Sequence, residues 1–220
     1  MDAVERAAAL RAHAEDTAGC TRCALSQGRT QVVFGSGSPD ADLMFVGEAP
    51  GFHEDQQGVP FVGQAGKLLD KLLGEIGLTR ADVFVANVLK CRPAGNRDPL
   101  PEEIAACEPH LFRQIELIQP KLVATLGNFA TKLLSGKPAG ITKVHGYEQE
   151  VTLGSRTVLL YPIFHPAAAL YTPSMLKVLG EDFARIPALL DRAVEEPAAA
   201  VELALAVGER DPESVQLGLF

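Results

Sequence analysis

The sequence predicts an α/β protein, a three-layer α/β/α sandwich on a central, mostly parallel four-stranded sheet. Three observations point there. Short apolar runs at 42–47, 83–88, 122–126 and 157–164 have the composition of strands buried on both faces. Segments with apolar residues at helical spacing alternate with them, as in a parallel sheet covered by helices. The runs also end in Gly/Pro-rich or polar turns, where the ligands of such sheets bind.

The elements follow in order. Residues 2–18 are Ala-rich, with Leu10 among apolar neighbours at helical spacing, and predict a helix running up to Cys20. Residues 20–41 read as loop with one short strand candidate, 31–34. After the first buried strand, Ala65, Leu68, Leu69, Leu72, Leu73 and Ile76 form one helical stripe over 64–76. The second strand is 83–88. Pro101–Ile118 then reads as a helix, with proline near its first position and Glu102 and Glu103 where acids suit the helix dipole. Leu122–Leu126 is the third strand, a short helix at 128–134 follows Gly127, and an antiparallel excursion at 147–153 precedes the fourth strand. One helix near 174–192 completes a domain of residues 1–192. Residues 193–220, Ala/Glu-rich and then polar, predict a loose helix and a flexible acidic tail.

The chain of 220 residues can bury a sizeable core, and no apolar run approaches the ~20 residues that span a bilayer. Its charged, acidic start is unlike a signal peptide, so a cytoplasmic protein without a membrane partner is expected, with monomer as the default state. The net charge of −8 argues at first against nucleic acid. It is unevenly spread, however. Residues 191–220 hold seven acids and two bases, a net of −5, which leaves −3 for residues 1–190. Residues 87–97 carry Lys90, Arg92 and Arg97 and no acid, so a DNA partner stays open.

Cys20-Thr-Arg-Cys23 has the two-residue gap that lets both thiolates reach one metal centre, and Cys91 and Cys107 could be folded towards it. Four thiolates suit zinc or an iron–sulfur cluster, and spacing alone does not separate these from two isolated core thiols beside an accidental pair. Among the loops, Gly47-Glu48-Ala49-Pro50-Gly51 can turn sharply and aim N–H groups into a cleft, or simply end a strand. Phe61 precedes the amphipathic helix. Asn87 ends an otherwise apolar strand, where a buried amide is either a structural hydrogen-bonder or a ligand reader. His165 follows the fourth strand as an acid, a donor or a turn residue.

Together these segments resemble the iron–sulfur uracil-DNA glycosylases of family 4. The matching pieces are Cys20-x-x-Cys23, Gly47 to Gly51 with Glu54-Asp55, and Pro60-Phe61-Val62-Gly63-Gln64-Ala65-Gly66. Asn87-Val88-Leu89-Lys90-Cys91-Arg92-Pro93, Asn96-Arg97, Cys107, Ile141-Thr142-Lys143-Val144 and Phe164-His165-Pro166 follow in order. The resemblance implies that Cys20, Cys23, Cys91 and Cys107 hold a 4Fe–4S cluster. It makes Phe61 the ring under a flipped uracil, Asn87 the amide that reads its edge and His165 the donor to its O2. Gly47, Glu48 and Ala49 become the loop whose backbone touches the base. Ala49 stands where the better-known single-domain enzymes have aspartate, which leaves Glu48, with Asp55 behind it, to position water or stabilise positive charge on the sugar. The basic, histidine-containing insertion of the covalent-trapping branch is absent after Asn87, so turnover without a covalent enzyme intermediate is expected. His145 stands where an arginine is usual.

The implied substrate is uracil-containing DNA. Lys90, Arg92 and Arg97, with Lys143 and Lys177, are the expected phosphate contacts. Residues 167–173, with Leu170 and Tyr171, are the expected wedge into the vacated stack. Gln216-Leu217-Gly218-Leu219-Phe220 resembles the bacterial peptide that docks on the DNA-polymerase sliding clamp, although such a segment can also pack back onto its own domain. Two rivals remain at this stage. One is a non-catalytic iron–sulfur or zinc DNA-binding module. The other is a structural zinc domain of a replication complex, tethered by the tail.

Overall fold

The computed structural model describes residues 1–195. Helix α1, Ala3–Ala18, starts with a reciprocal cap between Asp2 and Glu5 and buries Leu10 and Thr17. Strand β1 is Ser36–Gly37, followed by β2, Leu43–Gly47. Helices α2, Phe52–Gln57, and α3, Gln64–Glu75, lead to β3, Val83–Asn87. Then come α4, Pro101–Ile118, β4, Leu122–Leu126, α5, Asn128–Ser135, and α6, Ile141–Val144. The chain continues through β5, Gln149–Leu153, β6, Arg156–Ile163, α7, Pro166–Ala169, α8, Pro173–Ala184, and α9, Ile186–Glu195.

The sheet has six strands in the order β1-β3-β2-β4-β6-β5. Its inner four are parallel, as the apolar runs predict, and β1 and β5 add antiparallel edges that extend the expected four strands to six. Alternate residues of the inner strands feed opposite cores. Met44, Val46 and Val123 pack with Leu111 and Ile115 of α4, whereas Leu43, Phe45 and Val83 pack with Leu69 and Leu73 of α3 and Phe183 of α8. Burial on both faces is why these strands read as continuous apolar runs.

Two expectations fail for local reasons. Residues 31–34 form no strand, because Thr30 and Gln31 are tied instead to α2 through Asp55 and Gln56. The edge strand lies further on, where Gly37 runs so close to β3 that a Cβ would come 1.9 Å from the Val83 carbonyl oxygen. The single helix expected near 174–192 is two, broken at Arg185. Pro187 lacks an N–H, and its ring opposes a continuous helical turn there.

The chain crosses from one side of β2 to the other between β3 and β4, so a crevice opens at the carboxyl ends of these strands. Gly47 and Asn87, the last residues of β2 and β3, are register partners at its floor.

Candidate active site and thiol pocket

Gly47 lies at the centre of the first site. A Cβ there would come 2.4 Å from Oδ1 of Asn87 and 2.8 Å from Cζ of Phe61, so amide and ring both lie against bare backbone. The Phe61 and His165 rings stack at 5.5 Å and 27°. His165 Cβ in turn would meet a Cβ on Gly127 at 3.0 Å. Four strand ends therefore bring Gly47, Asn87, Gly127 and His165 together, and Phe61 reaches them from the segment before α3.

Phe61 is held in an unfavourable backbone conformation, with φ at 55°. Glu54 of α2 accepts from the N–H groups of Val62 and Gly63 at 3.0 and 3.2 Å. Arg80 donates to the Phe61 carbonyl at 2.9 Å and pairs with Asp70 at 2.5 Å. Gly66 leaves the room, since a Cβ there would come 1.7 Å from the same carbonyl oxygen.

His165 Nδ1 accepts from the N–H of Ala167 at 3.1 Å, which assigns the ring proton to Nε2. Burial pulls the imidazole down to about 4, with Glu54 opposing weakly, so the ring is a neutral N–H donor near neutral pH. It borders an open cleft with Glu48, Asp98, Asn128 and Lys132. Partial burial, and then the negative charge of Asp98, raise the Glu48 carboxyl above its ordinary range. Ala49 is half-buried beside it and packs against the core.

The second site is a small pocket lined by all four cysteines, with Arg29 and His110. Cys20 and Cys23 come from the turn after α1, Cys91 from the loop after β3 and Cys107 from α4. Three sulfurs receive donors or ring nitrogens. The Lys90 N–H donates to Cys107 at 3.2 Å, Arg29 donates to Cys91 at 3.4 Å, and His110 Nε2 stands 3.4 Å from Cys20. Burial pushes the Cys107 thiol up to about 11 and the Cys91 thiol in the same direction. Four thiolates here need a cationic centre. Among the described residues no group of three or more His, Cys, Asp or Glu side chains is arranged to hold a metal ion.

Several expectations about the basic and acidic residues change. Lys90 is no phosphate contact. It is 1% exposed, and its ammonium bonds the Asn87 carbonyl at 2.7 Å and Gln114 Oε1 at 2.5 Å. Asp55 does not back Glu48, because both its oxygens accept from the Thr30 N–H, at 2.9 and 3.1 Å. Arg97 is largely committed to the buried Glu103, at 2.9 and 2.5 Å. Arg92 lies over the Phe52 ring at 5.1 Å, Lys143 is exposed on α6, and Lys177 is exposed beside Glu181. Leu170 is half-buried after α7 and Tyr171 next to it is 88% exposed. His145 bonds Asp182 at 3.0 Å and packs on Phe164. Gln216, Leu217, Leu219 and Phe220 lie outside the described residues, as does nearly all of the expected tail.

Glu54, Arg80, Asp98 and Gln114 have no assigned role in the sequence reading. A carboxylate three residues past a Gly-rich turn was the available signal for Glu54; the other three depend on contacts between distant segments.

A parallel sandwich with its polar side chains gathered at the crevice beside β2 defines an α/β protein of the class whose ligands bind at the carboxyl ends of the strands. Residues 34–190 match the uracil DNA glycosylase superfamily. A type-4 uracil-DNA glycosylase of Sulfurisphaera tokodaii is 49% identical over 177 residues, 78% of this chain and 80% of the relative. Enzymes of the same name from Saccharolobus solfataricus and Thermotoga maritima are 47% and 44% identical. Those alignments cover 79% of this chain, with 82% and 90% of the relatives. The chain belongs to the uracil-DNA glycosylase superfamily.

Proposed function

We propose that the protein hydrolyses the bond between uracil and deoxyribose in DNA and leaves an abasic site for base excision repair. The observation that carries this is the convergence of Asn87 and Phe61 on the Gly47 backbone, with the His165 ring stacked on Phe61.

The target bond is hidden in a duplex, so the nucleotide must leave the stack. Stacking on Phe61 offsets part of that cost, roughly 1–3 kcal/mol by analogy with other base–aromatic contacts. Asn87 donates to uracil O4 and accepts from N3–H. Cytosine reverses both atoms and leaves buried groups unpaired, the strongest discrimination such a pocket offers. As the bond breaks, charge collects on O2. The neutral His165 donates to it through Nε2–H together with N–H groups of the Gly47–Ala49 turn, at about 3–4 kcal/mol per preorganised donor. Glu48, ionised and half-buried, stabilises the positive sugar and orients water. Alanine at 49 has no carboxylate to serve as base, and no enzyme side chain bonds the sugar.

We assign Cys20, Cys23, Cys91 and Cys107 to a 4Fe–4S cluster. Bound there, it would cross-link the turn after α1, the loop after β3 and α4. Arg92, Lys143 and Lys177 would meet DNA phosphates, and Leu170 with Tyr171 would fill the gap left by the flipped base. We also assign residues 216–220 to the sliding clamp, on their sequence alone. Deleting them should abolish clamp binding and leave cleavage of a free oligonucleotide unchanged.

The test is a uracil-containing oligonucleotide incubated with the protein, then alkali. Strand scission at uracil is expected. Its absence with folded protein that absorbs near ~400 nm, as iron–sulfur thiolates do, would overturn the proposal.

A further inference from the structure

The position of Lys90 is unusual for a lysine just past a strand end. It is 1% exposed, and all of its polar groups are engaged. Its N–H meets Cys107 Sγ at 3.2 Å, its carbonyl accepts from Val33 at 2.8 Å, and its ammonium holds Asn87 O and Gln114 Oε1. The N–H groups of Val88 and Leu89 bond the carbonyls of Gly47 and Glu48, so the turn after β3 is stitched to the turn after β2. The Asn87 carbonyl receives its bond from the Lys90 ammonium. Gln114, fully buried in α4, is fixed in turn by donating to the Phe34 carbonyl at 2.8 Å.

We propose that Lys90 is a positioning residue, which ties the main chain at Asn87 to helix α4 and so sets where the Asn87 amide stands. The proposal rests on the reading of Asn87 as the group that recognises uracil. A buried amine is expensive to desolvate, and an apolar side chain of the same length would pack there more cheaply. Its presence there is accounted for by what it orients. The helix at the far end of the tie carries Cys107, so the thiol pocket and the uracil pocket share a brace. Displacement of a recognition group by fractions of an ångström weakens the transition state more than the encounter with DNA.

The experiment compares wild type, Lys90→Met, Gln114→Met and the double variant, all with intact absorbance near ~400 nm. Lys90→Met is expected to lower kcat on a uracil oligonucleotide on the order of 10²-fold, with affinity for undamaged duplex unchanged. In nitrogen-labelled protein it should also shift the Asn87 side-chain amide resonance. Gln114→Met removes only the α4 end of the tie and should give the same split, smaller, and non-additive with Lys90→Met. If Lys90→Met does not fold, Gln114→Met decides alone. Unchanged kcat with an unshifted Asn87 resonance overturns the proposal, as does parallel loss of kcat and duplex affinity. No cleavage by wild type would instead sink the glycosylase reading, and the resonance shift would still test the brace.

Discussion

Glu48 and His165 border one cleft with opposite electrostatic demands. The imidazole is held neutral, its pKa pulled down by burial to about 4, so it should not titrate between pH 5 and 9. The Glu48 carboxyl is raised by burial and by Asp98, and it must be ionised to stabilise a cationic sugar. On the proposed mechanism, the acid limb of kcat/KM is therefore expected to belong to Glu48. Activity is expected to fall as pH drops through a value above the ordinary 4.5 of a glutamate. Glu48→Gln should remove that limb and lower the plateau on the order of 10²-fold. Linkage gives the stability sign. The folded state binds a proton at Glu48 more readily than the unfolded chain does, so the ionised carboxylate costs stability at neutral pH. Glu48→Gln should then melt higher than wild type at pH 7 while losing activity. A pH–rate profile whose acid limb survives in Glu48→Gln would assign it elsewhere. Asp98→Asn, read in the same profile, should shift the limb to lower pH.

At the scale of elements, the bracket around Phe61 shows what a single sequence hides. Phe61 could be singled out because an aromatic residue stands in a Pro/Gly-rich turn before an amphipathic helix. Its strained φ, the Glu54 carboxylate that bonds Val62 and Gly63 and the Arg80 guanidinium on its carbonyl come from segments whose approach only the fold decides. Glu54 and Asp55 show the same limit at closer range. Neighbours on one helix point about 100° apart, so one holds the Phe61 turn and the other ties Thr30. The strands were legible because burial on both faces leaves only apolar residues, and Asn87 and His165 were legible as polar residues ending such runs. The two-residue β1 had no such signature. Left-handed Phe61 stores roughly 1–3 kcal/mol of strain that its neighbours must offset. Arg80→Met should therefore let the ring relax, with about 1–2 kcal/mol lost from stability and a larger proportional loss of kcat/KM on uracil. Gly66→Ala, which would drive a methyl into the Phe61 carbonyl, should be the more severe of the two. Thermal melting and single-turnover cleavage measured side by side check both. Equal retention of activity would mean that Phe61 keeps its place without the bracket.

For the whole molecule, the charge balance decides how the protein holds DNA. Residues 1–190 carry a net −3, and the cations that the sequence offers for phosphates are not all free. Lys90 is inside, and Arg97 is chelated by Glu103. A lysine in a basic segment reads as a solvated cation unless the acceptors awaiting it are known, and Asn87 O and Gln114 Oε1 are brought to it by tertiary folding. Arg92, Lys143 and Lys177 are left, and each neutralised phosphate contributes about −0.9 to the slope of log K against log salt. The slope is thus expected near −2 to −3. On the proposed contacts, affinity would then rest more on the flipped base and the wedge than on phosphates. Lys143→Ala should reduce the slope by about 0.9; Lys90→Met, being buried, should leave it unchanged while lowering kcat. Fluorescence anisotropy across a salt series separates the two. A slope steeper than about −5, or one that Lys90→Met flattens, would mean that the cation at 90 reaches solvent when DNA binds.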